Sequence, residues 1–317
     1  MRIKLTNPEL FATVFQKITG SKLHHPTYGI ATDSREIEKG DLYIAIKGDK
    51  YDGHQFLKKV MNSGAVAALV EDVQGDIEIQ QIKVKNTLLE IAKISKMWRK
   101  QFDIPVIGIT GSNGKTSTKE LLAHVLTNNY RVHATKGNFN TNIGVPLTLL
   151  ELEPTHNISI IEMGASVPGE IENLCKIVKP NYGIITNIAP AHLEGFRTIE
   201  NIAFEKGALF RALDKGISFV NQADDLVSHI LFNGKKITYG LNPECDFPAD
   251  IYHENNGTLT LILDSNVIPT NSKNLSFLKN CIAVSAISIS LGISLDDLKQ
   301  KIQSFSSPKG RCFVKQI

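Results

Sequence analysis

The sequence lacks the features that mark secreted, membrane or nucleic-acid-binding proteins. Its 4 cysteines are scattered, with no Cys-x-x-Cys pair, which predicts reduced, mostly buried thiols in a cytoplasmic protein. No apolar stretch approaches the ~20 residues of a membrane span, and the N-terminus alternates charged and apolar residues, unlike a signal peptide. The net charge is only +3, without a run of Lys and Arg, so we expect small-molecule ligands and no nucleic acid.

Length and patterning predict an α/β protein of at least two domains. Residues 1–85 form a small N-terminal α/β domain in this interpretation. Residues 86–313 alternate strand and helix, which is typical of a P-loop-type central domain with a mostly parallel sheet flanked by helices. We expect residues 314–317 to begin a missing C-terminal domain, because the sequence stops inside an apparent strand, 312–317. We expect a monomer.

Periodicity and turn residues locate the individual elements. Asn-Asn-Gly at 255–257 predicts a hairpin between the runs 250–254 and 258–264. The predicted helices are 10–18, 56–63, 86–102, one that begins near 115, one that begins at 168–170, 199–213, 223–231, 277–291 and 295–305. The other predicted strands are 42–46, 65–70, 104–109, 158–163, 182–186 and 217–220.

A glycine-rich turn between an apolar run and a helical pattern is the most informative segment. It contains Gly111-Ser112-Asn113-Gly114-Lys115-Thr116-Ser117 and follows the run 104–109. Glycines let successive N–H groups face one anion, the helix N-terminus and Lys115 add positive charge, and the Thr116 hydroxyl can bind Mg²⁺. We therefore predict a P-loop for nucleotide phosphates. Its spacing departs from the standard pattern, which places a glycine where this chain has Ile109.

Four polar positions follow at the ends of apolar runs, where parallel sheets bind ligands. The amide-rich segment 137–146 suits either a loop around a polar ligand or a plain surface turn. Glu162 suits Mg²⁺, which takes about six oxygen ligands, or simple solvation. His192 lies at the same predicted sheet edge and is either functional or structural. Lys206, on spacing alone, would be a solvated cation.

These segments resemble the Mur ligase family, ATP-dependent amide-forming enzymes of peptidoglycan precursor synthesis. Three stretches carry the resemblance: 137–150 (GNFNTNIGVPLTLL), 162–171 (EMGASVPGEI), and 187–207 (NIAPAHLEGF through FEKG). Within the family they match the members that join D-alanyl-D-alanine to UDP-N-acetylmuramoyl-tripeptide. Members that add the third peptide residue usually have Thr-Thr-Pro and Ser-Ser-His at the corresponding places.

The resemblance implies a reaction and a set of residues. ATP would convert the tripeptide carboxylate to an acyl phosphate, which the amine of D-alanyl-D-alanine attacks, with two Mg²⁺ ions and Lys206 carbamylated by CO₂. The N-terminal domain would hold the uridine nucleotide. The implied residues are Gly111, Ser112, Asn113, Gly114, Lys115, Thr116, Ser117 and Asn280 for ATP; Ser34, Arg35, Lys47, Gly48, Asn140 and Thr141 for substrate; Thr116, Glu162, His192 and Lys206 for metal; and Lys115, Asn142, His192, Lys206 and Arg311 for catalysis.

Two departures from the family pattern leave alternatives open. Ser276 and Phe277 stand where His-Asn is usual, so Phe277 could stack on a base or belong to the core. With a C-terminal domain missing, we expect substrate binding but poor ligation. The first alternative is a folylpolyglutamate synthase-like ligase, which usually lacks the uridine-binding domain. The second is a non-catalytic nucleotide-binding module, which would release no phosphate from ATP.

Overall fold

A computed structural model describes residues 1–48 and 51–306 of the chain. Contacts between residues divide the chain into an N-terminal unit, formed by Met1–Asp103 and Asn142–Pro154, and a central unit, formed by Ile104–Thr141 and the chain from Thr155 onward. This grouping differs from the predicted boundary after residue 85. Arg311 and the predicted strand 312–317 lie outside the described residues.

Helices and strands alternate along most of the chain. Through residue 103 they are β1 (Arg2–Lys4), α1 (Pro8–Thr19), β2 (Gly29–Ala31), β3 (Asp41–Ile44), a 3₁₀ turn (Gly53–Phe56), α2 (Leu57–Asn62), β4 (Ala67–Val70), β5 (Gln80–Lys83) and α3 (Thr87–Arg99). They continue with β6 (Val106–Thr110), α4 (Lys115–Leu126), β7 (Val132–Ala134), α5 (Gly144–Leu150), β8 (Ile158–Glu162), α6 (Glu170–Val178), β9 (Tyr182–Ile185), α7 (Leu193–Phe196), α8 (Ile199–Arg211), β10 (Ile217–Asn221), α9 (Asp225–Ser228), β11 (Lys235–Gly240), β12 (Phe247–His253), β13 (Leu259–Leu263), β14 (Asn266–Pro269), α10 (Leu275–Ser290) and α11 (Leu295–Ser304).

The N-terminal unit contains a five-stranded sheet in the order β1-β2-β3-β4-β5. β1 pairs antiparallel with β2, and the other pairs are parallel. The Asn86 side chain caps α3 by accepting a hydrogen bond from the Leu89 N–H, as the sequence predicts. α3 packs against α1 and α5, and the buried Trp98 indole donates to the Leu152 carbonyl over 3.2 Å. These contacts explain why α3 and the segment 142–154 belong to this unit.

The central unit contains a nine-stranded sheet in the order β14-β13-β12-β11-β10-β9-β6-β8-β7. The pairs from β12 to β7 are parallel, and β12-β13-β14 form an antiparallel meander. The prediction of a mostly parallel sheet is therefore confirmed, as is the hairpin. α4 and α10 pack together, while α6 and α8 pack together beside β6. The middle strands β9, β6 and β8 place their carboxyl ends side by side, which is where ligands bind such sheets.

Some elements differ from the predictions. The helix expected over 223–231 is reduced to α9, because Asp224 caps a single turn and the chain leaves it after Ser228. β1, β2, β5, β7, β11 and β14 were not predicted, since they are short or carry charged and amide side chains. None of the described helices has both the length and the apolar content that a membrane span requires.

Candidate nucleotide and metal site

The glycine-rich turn joins β6 to α4 as the sequence predicts. Gly111 has φ +144° and Gly114, at the N-cap of α4, has φ +80°, values that L side chains rarely adopt. A Cβ on Gly111 would lie 1.9 Å from Thr186 Oγ1. Both positions therefore require glycine. Gly111 requires it because of its backbone conformation and its close approach to Thr186, and Gly114 because of its backbone conformation.

Thr186 and Asn187, which follow β9, hold this turn in place through hydrogen bonds. The Asn187 carbonyl accepts from the Ser112 N–H and its side-chain Oδ1 accepts from the Asn113 N–H, each over 2.9 Å. Thr186 Oγ1 donates to the Asn113 carbonyl over 2.6 Å. These bonds fix the turn before any ligand arrives. The N-terminus of α4 follows this turn, and helix N-termini favour anions through their backbone N–H groups and dipole.

Lys115 lies folded over the turn. Its ammonium donates to the carbonyls of Gly111 (2.7 Å) and Ser112 (3.2 Å). Burial lowers the pKa of Lys115, and the nearby Glu162 carboxylate opposes that shift. A phosphate at the turn would offer this cation a full negative charge in place of two carbonyl dipoles.

Glu162 ends β8 and gathers polar groups from two other segments. Its Oε1 accepts from Thr116 Oγ1 (3.0 Å) and from the Asn140 amide (2.7 Å), and its N–H donates to Thr135 Oγ1 over 3.0 Å. Its Oε2 is buried and has no hydrogen-bond partner. An oxygen with an unused lone pair beside the Thr116 hydroxyl fits a hard cation such as Mg²⁺. The structure thus brings the Thr116 hydroxyl and the Glu162 carboxylate into contact, and their shared role in binding Mg²⁺ stays a prediction.

One cavity of about 180 Å³ is lined by groups from several loops, which we call the P-loop cavity. Its residues are Ser112, Lys115, Asn140, Thr141, Gly164, Ala165, Ser166, Glu170, Ala191, His192 and Lys206. It therefore unites predicted residues for ATP, substrate and metal. No group of three or more His, Cys, Asp or Glu able to hold a metal occurs in the described residues. A metal here would therefore need oxygen ligands besides Glu162, such as the Thr116 hydroxyl, a modified lysine or ligand phosphates.

His192 and Lys206 enter this cavity in different ways. His192 is exposed, with φ +52°, and begins α7. Lys206 is 2% exposed on α8. Burial lowers the pKa of Lys206 to about 8, with a further decrease from the Lys115 charge, while Glu205 acts to raise it. The solvated cation considered for Lys206 is therefore wrong, because α8 buries its side chain in the lining of the P-loop cavity.

Three residues of this region had no role in the sequence-based prediction. Thr186 supports the turn, as described above. Glu205 is buried, and its carboxylate accepts from the N–H groups of Gly169 (2.6 Å) and Ile171 (2.7 Å) at the start of α6. Lys119 is buried on α4, 3.9 Å from Glu162 Oε2. A signal existed for Lys119, since it shares a helix stripe with Leu122 and Leu126.

The structure locates the residues predicted around the base of the nucleotide, and the contact of Asn280 with adenine stays a prediction. Asn280 on α10 lies against the turn, because a Cβ on Gly114 would be 3.2 Å from Asn280 Oδ1. Phe277 is buried and stacks on Phe305, with ring centroids 5.9 Å apart and planes 7° apart. Phe277 is therefore part of the core, which was one of the two alternatives. Ser117 lies in the first turn of α4.

Asn142 and Arg311 are not tested by the geometry of the P-loop cavity. Asn142 begins the segment that belongs to the N-terminal unit. Arg311 lies outside the described residues. Their predicted catalytic roles stay predictions.

The N-terminal unit has its own cavity of about 630 Å³. Ser34 and Arg35 line it, together with Tyr43, Tyr51 and Lys59. Arg35 is exposed and pairs with Asp33 over 2.6 Å, which holds the pKa of that carboxyl well below its usual range. Lys47 and Gly48, also predicted here, do not line the cavity. Lys47 forms an isolated bridge with Asp52, and the Gly48 N–H donates to the Tyr51 carbonyl.

A larger groove lies elsewhere on the central unit. It has a volume of about 540 Å³ and is lined by side chains of α6 and α8, including Cys175, Phe204 and Arg211. It contains none of the predicted site residues. We place the candidate site in the smaller P-loop cavity because the phosphate-binding turn and the perturbed Lys206 line it, and because its lining residue Asn140 donates to the buried Glu162 carboxylate.

The parallel sheet, the braced turn and the Thr116–Glu162 pair define a nucleotide-binding α/β protein of the P-loop class. Comparison with known proteins narrows this class. Residues 109–286 match the model of the Mur ligase middle domain, and residues 26–100 match that of the Mur ligase family catalytic domain. This chain belongs to the Mur ligase family.

Individual relatives agree with that assignment. The UDP-N-acetylmuramoyl-tripeptide–D-alanyl-D-alanine ligase of Haemophilus influenzae is 34% identical over 99% of this chain and 71% of its own length. A crystal structure of MurF from Acinetobacter baumannii superposes with a TM-score of 0.84 at 30% identity, over 95% of this chain and 69% of that one. MurF from Thermotoga maritima, solved in complex with ADP, gives a TM-score of 0.80 at 29% identity, over 89% and 67% of the two chains.

Proposed function

We propose that this chain carries the substrate-binding and ATP-binding parts of a UDP-N-acetylmuramoyl-tripeptide–D-alanyl-D-alanine ligase (MurF). The observation that carries the proposal is the meeting of Lys115, Asn140, His192 and Lys206 in one cavity beside the Thr116–Glu162 pair. The relatives with that name supply the substrate identity. The chain spans between 62% and 71% of the length of the first four of them, so activity of the whole protein is part of the proposal.

The proposed reaction uses ATP to activate an unreactive acid. The terminal carboxylate of the tripeptide attacks the γ-phosphorus of ATP, which releases ADP and leaves an acyl phosphate. The amine of D-alanyl-D-alanine then attacks the acyl carbon, and the tetrahedral intermediate expels phosphate as the amide forms. Positioning and charge stabilisation are sufficient for both steps, so no side-chain nucleophile is needed.

Different residues of this chain would bind ATP and orient the tripeptide. The first-turn N–H groups of α4 and the Lys115 ammonium hold the phosphates and favour negative charge on the transferred group. Asn280, beside Gly114, would contact the adenine. Asn140 and Thr141 face the same cavity and would orient the tripeptide carboxylate, and we retain Asn142 and Arg311 as further proposed contacts.

Two metal positions are part of the proposal. Thr116 and Glu162 would hold one Mg²⁺, and His192 with Lys206 a second. When bound, Mg²⁺ supplies positive charge to the phosphate oxygens. A protonated lysine cannot bind a cation, whereas reaction of its neutral amine with CO₂ gives an anionic carbamate. The lowered pKa of Lys206, about 8, makes that neutral amine more accessible near neutral pH.

The cavity of the N-terminal unit would hold the uridine diphosphate group of the substrate. Arg35 and Lys59 can pair with phosphate oxygens, and the exposed Tyr51 ring offers a face for a base. Lys47 and Gly48, although outside the cavity lining, follow Ile46, which lines it, and are retained as proposed contacts. We further propose a cytoplasmic monomer.

Three measurements test the proposal on the 317-residue chain. Calorimetry with UDP-N-acetylmuramoyl-tripeptide should show saturable binding that Arg35→Ala weakens. ADP release should require both ATP and the tripeptide. Lys115→Ala should abolish this release, whereas Lys299→Ala, at an exposed position of α11, should not. Amide formation with D-alanyl-D-alanine, followed by mass spectrometry, is expected to be slow. ATP turnover without affinity for the uridine-linked tripeptide would favour a folylpolyglutamate synthase-like ligase, and substrate binding without ADP release would favour a non-catalytic module.

A further inference from the structure

Lys119 is a buried cation with no part in the proposed reaction. Its side chain is 1% exposed, and its ammonium lies 3.9 Å from Glu162 Oε2. We propose that Lys119 is a positioning residue that balances the charge of Glu162, so that the site binds a divalent cation weakly alone and tightly only together with the phosphates of ATP. This inference rests on the proposed function, because it takes Thr116 and Glu162 as metal ligands.

The Lys119 ammonium is locked in place by three acceptors. It donates to the carbonyls of Thr135 and Gly137 and pairs with Glu120 Oε1 over 2.8 Å. Since an ammonium has three N–H donors, its hydrogen-bonding capacity is filled. The 3.9 Å approach to Glu162 is therefore electrostatic, and the charge cannot swing away when another cation arrives.

The same bonds attach a loop to α4. Thr135 follows β7 and, through its hydroxyl, accepts a hydrogen bond from the Glu162 N–H. Gly137 begins the segment that carries Asn140, whose amide binds Glu162 Oε1. Lys119 thus holds both the backbone and the side-chain neighbours of Glu162 in position.

Glu162 needs a nearby positive charge because it is 1% exposed. Its Oε1 is used by Thr116 and Asn140, whereas its Oε2 has no hydrogen-bond partner and lies nearest Lys119. A buried carboxylate without compensation is strongly unfavourable and would attract any available cation. Lys119 supplies that compensation permanently.

The lysine charges around Glu162 explain why we expect the site to bind a metal–nucleotide complex more tightly than a free metal ion. Lys115 lines the P-loop cavity and Lys119 lies 3.9 Å from Glu162 Oε2, so a bare dication at the Thr116–Glu162 pair would meet positive charge from both lysines. The triphosphate of ATP is strongly anionic and reverses the local balance when it binds. The metal would therefore enter with the nucleotide, and futile occupation by free cations is avoided.

The test uses Mn²⁺ as a spectroscopic probe on the full 317-residue chain. Electron paramagnetic resonance measures free Mn²⁺ during titration, first without nucleotide and then with a non-hydrolysable ATP analogue. Lys119→Met removes the charge and keeps the apolar stem, and Lys299→Met removes one charge from an exposed position of α11 as a matched control. Without nucleotide, Lys119→Met should bind Mn²⁺ about tenfold more tightly or better than wild type. The control should match wild type, and adding Glu162→Gln to Lys119→Met should abolish the gain.

The outcomes separate the two proposals. Equal or weaker Mn²⁺ binding by a folded Lys119→Met chain would overturn the charge-balance role, because a merely structural residue gives no gain when removed. Lys119→Gln, which keeps an amide donor, carries the same prediction if the methionine variant does not fold. Wild type that binds no Mn²⁺ even with the ATP analogue would instead overturn the proposed metal site.

Discussion

At the scale of single residues, Gly111 is constrained in two independent ways. Its φ of +144° disfavours any side chain, and a Cβ would overlap Thr186 Oγ1 at 1.9 Å. We predict that Gly111→Ala lowers the free energy of unfolding by about 2–4 kcal/mol and weakens ATP binding, because the turn must shift. Urea unfolding and calorimetry measure the two effects.

Gly137 offers the matched control for this prediction. It also has positive φ, +53°, but no atom lies within 4 Å of its Cβ position. Gly137→Ala should therefore cost only about 1 kcal/mol. Similar losses for the two variants would mean that backbone conformation, and not the contact with Thr186, constrains the turn.

Lys206 should make stability depend on pH in an unusual direction. Its pKa is lowered to about 8 from 10.5, chiefly by burial and next by Lys115. The unfolded chain then binds more protons between about pH 8 and 10.5, so this residue's contribution to stability rises with pH across that window; below pH 8 its full destabilising effect is present. In CO₂-free buffer, Lys206→Met should raise the free energy of unfolding at pH 7 by about 2–3 kcal/mol.

The difference between wild type and Lys206→Met should shrink as the pH approaches 10.5. Urea unfolding of both chains at several pH values measures it. A difference that is constant with pH would show that packing of the methionine, rather than the buried charge, accounts for the effect. Lys206→Met should also lose ADP release. The wild-type lysine would then lower the free energy of unfolding while being required for the reaction.

At the scale of elements, Glu205 joins α8 to α6. Its carboxylate accepts from the Gly169 and Ile171 N–H groups at the start of α6, where the helix dipole also favours negative charge. We predict that Glu205→Gln lowers the free energy of unfolding by about 1–3 kcal/mol, because an amide NH₂ would then face a backbone donor. The turn before α6 carries Gly164 and Ser166 of the P-loop cavity, so ATP binding should weaken as well.

Glu172 on the exposed side of α6 is the control for Glu205. It pairs with Lys176 at the surface over 2.6 Å, and such pairs contribute little. Glu172→Gln should leave thermal unfolding and ATP affinity close to wild type. If Glu205→Gln behaved like Glu172→Gln in both measurements, the carboxylate would not be what holds the two helices in place.

Predictability from sequence also differs between elements. The glycine turn and the hairpin at 255–257 were predictable because local backbone chemistry determines them. β5 was missed because Gln80 and Gln81 hide its alternation, and α5 because Pro146 and Gly144 suggested a loop. In the site, Lys115, Thr116 and Glu162 follow from motif and strand end. The burial of Lys119 follows from its helix stripe, but its role and that of Glu205 do not, since those roles depend on partners distant in sequence that only the tertiary fold brings near.

At the scale of the whole molecule, the N-terminal unit is assembled from two separated stretches of chain. All residues of α5 are buried, and α5 packs on α3 and β1. Leu152, just after α5, accepts the hydrogen bond of the buried Trp98 indole. The unit therefore depends on a segment that follows β6, α4 and β7 in sequence. Because of this interruption, a single boundary near residue 85, chosen from composition, does not separate the two units.

This arrangement predicts that residues 1–103 alone will not fold stably, because removing α5 exposes the apolar face of α3, including Trp98. Joining 142–154 to residue 103 through a flexible linker of about 15 residues should restore cooperative unfolding and dispersed amide resonances, since loop closure adds little cost for each added residue. The same fusion with Leu147 and Leu150 changed to Asp keeps the length and removes the apolar face, so it should remain unfolded. If residues 1–103 unfolded cooperatively without the second segment, α5 would be only a cover on a self-sufficient sheet, and the uridine-nucleotide affinity proposed for this unit should then be measurable on the short fragment.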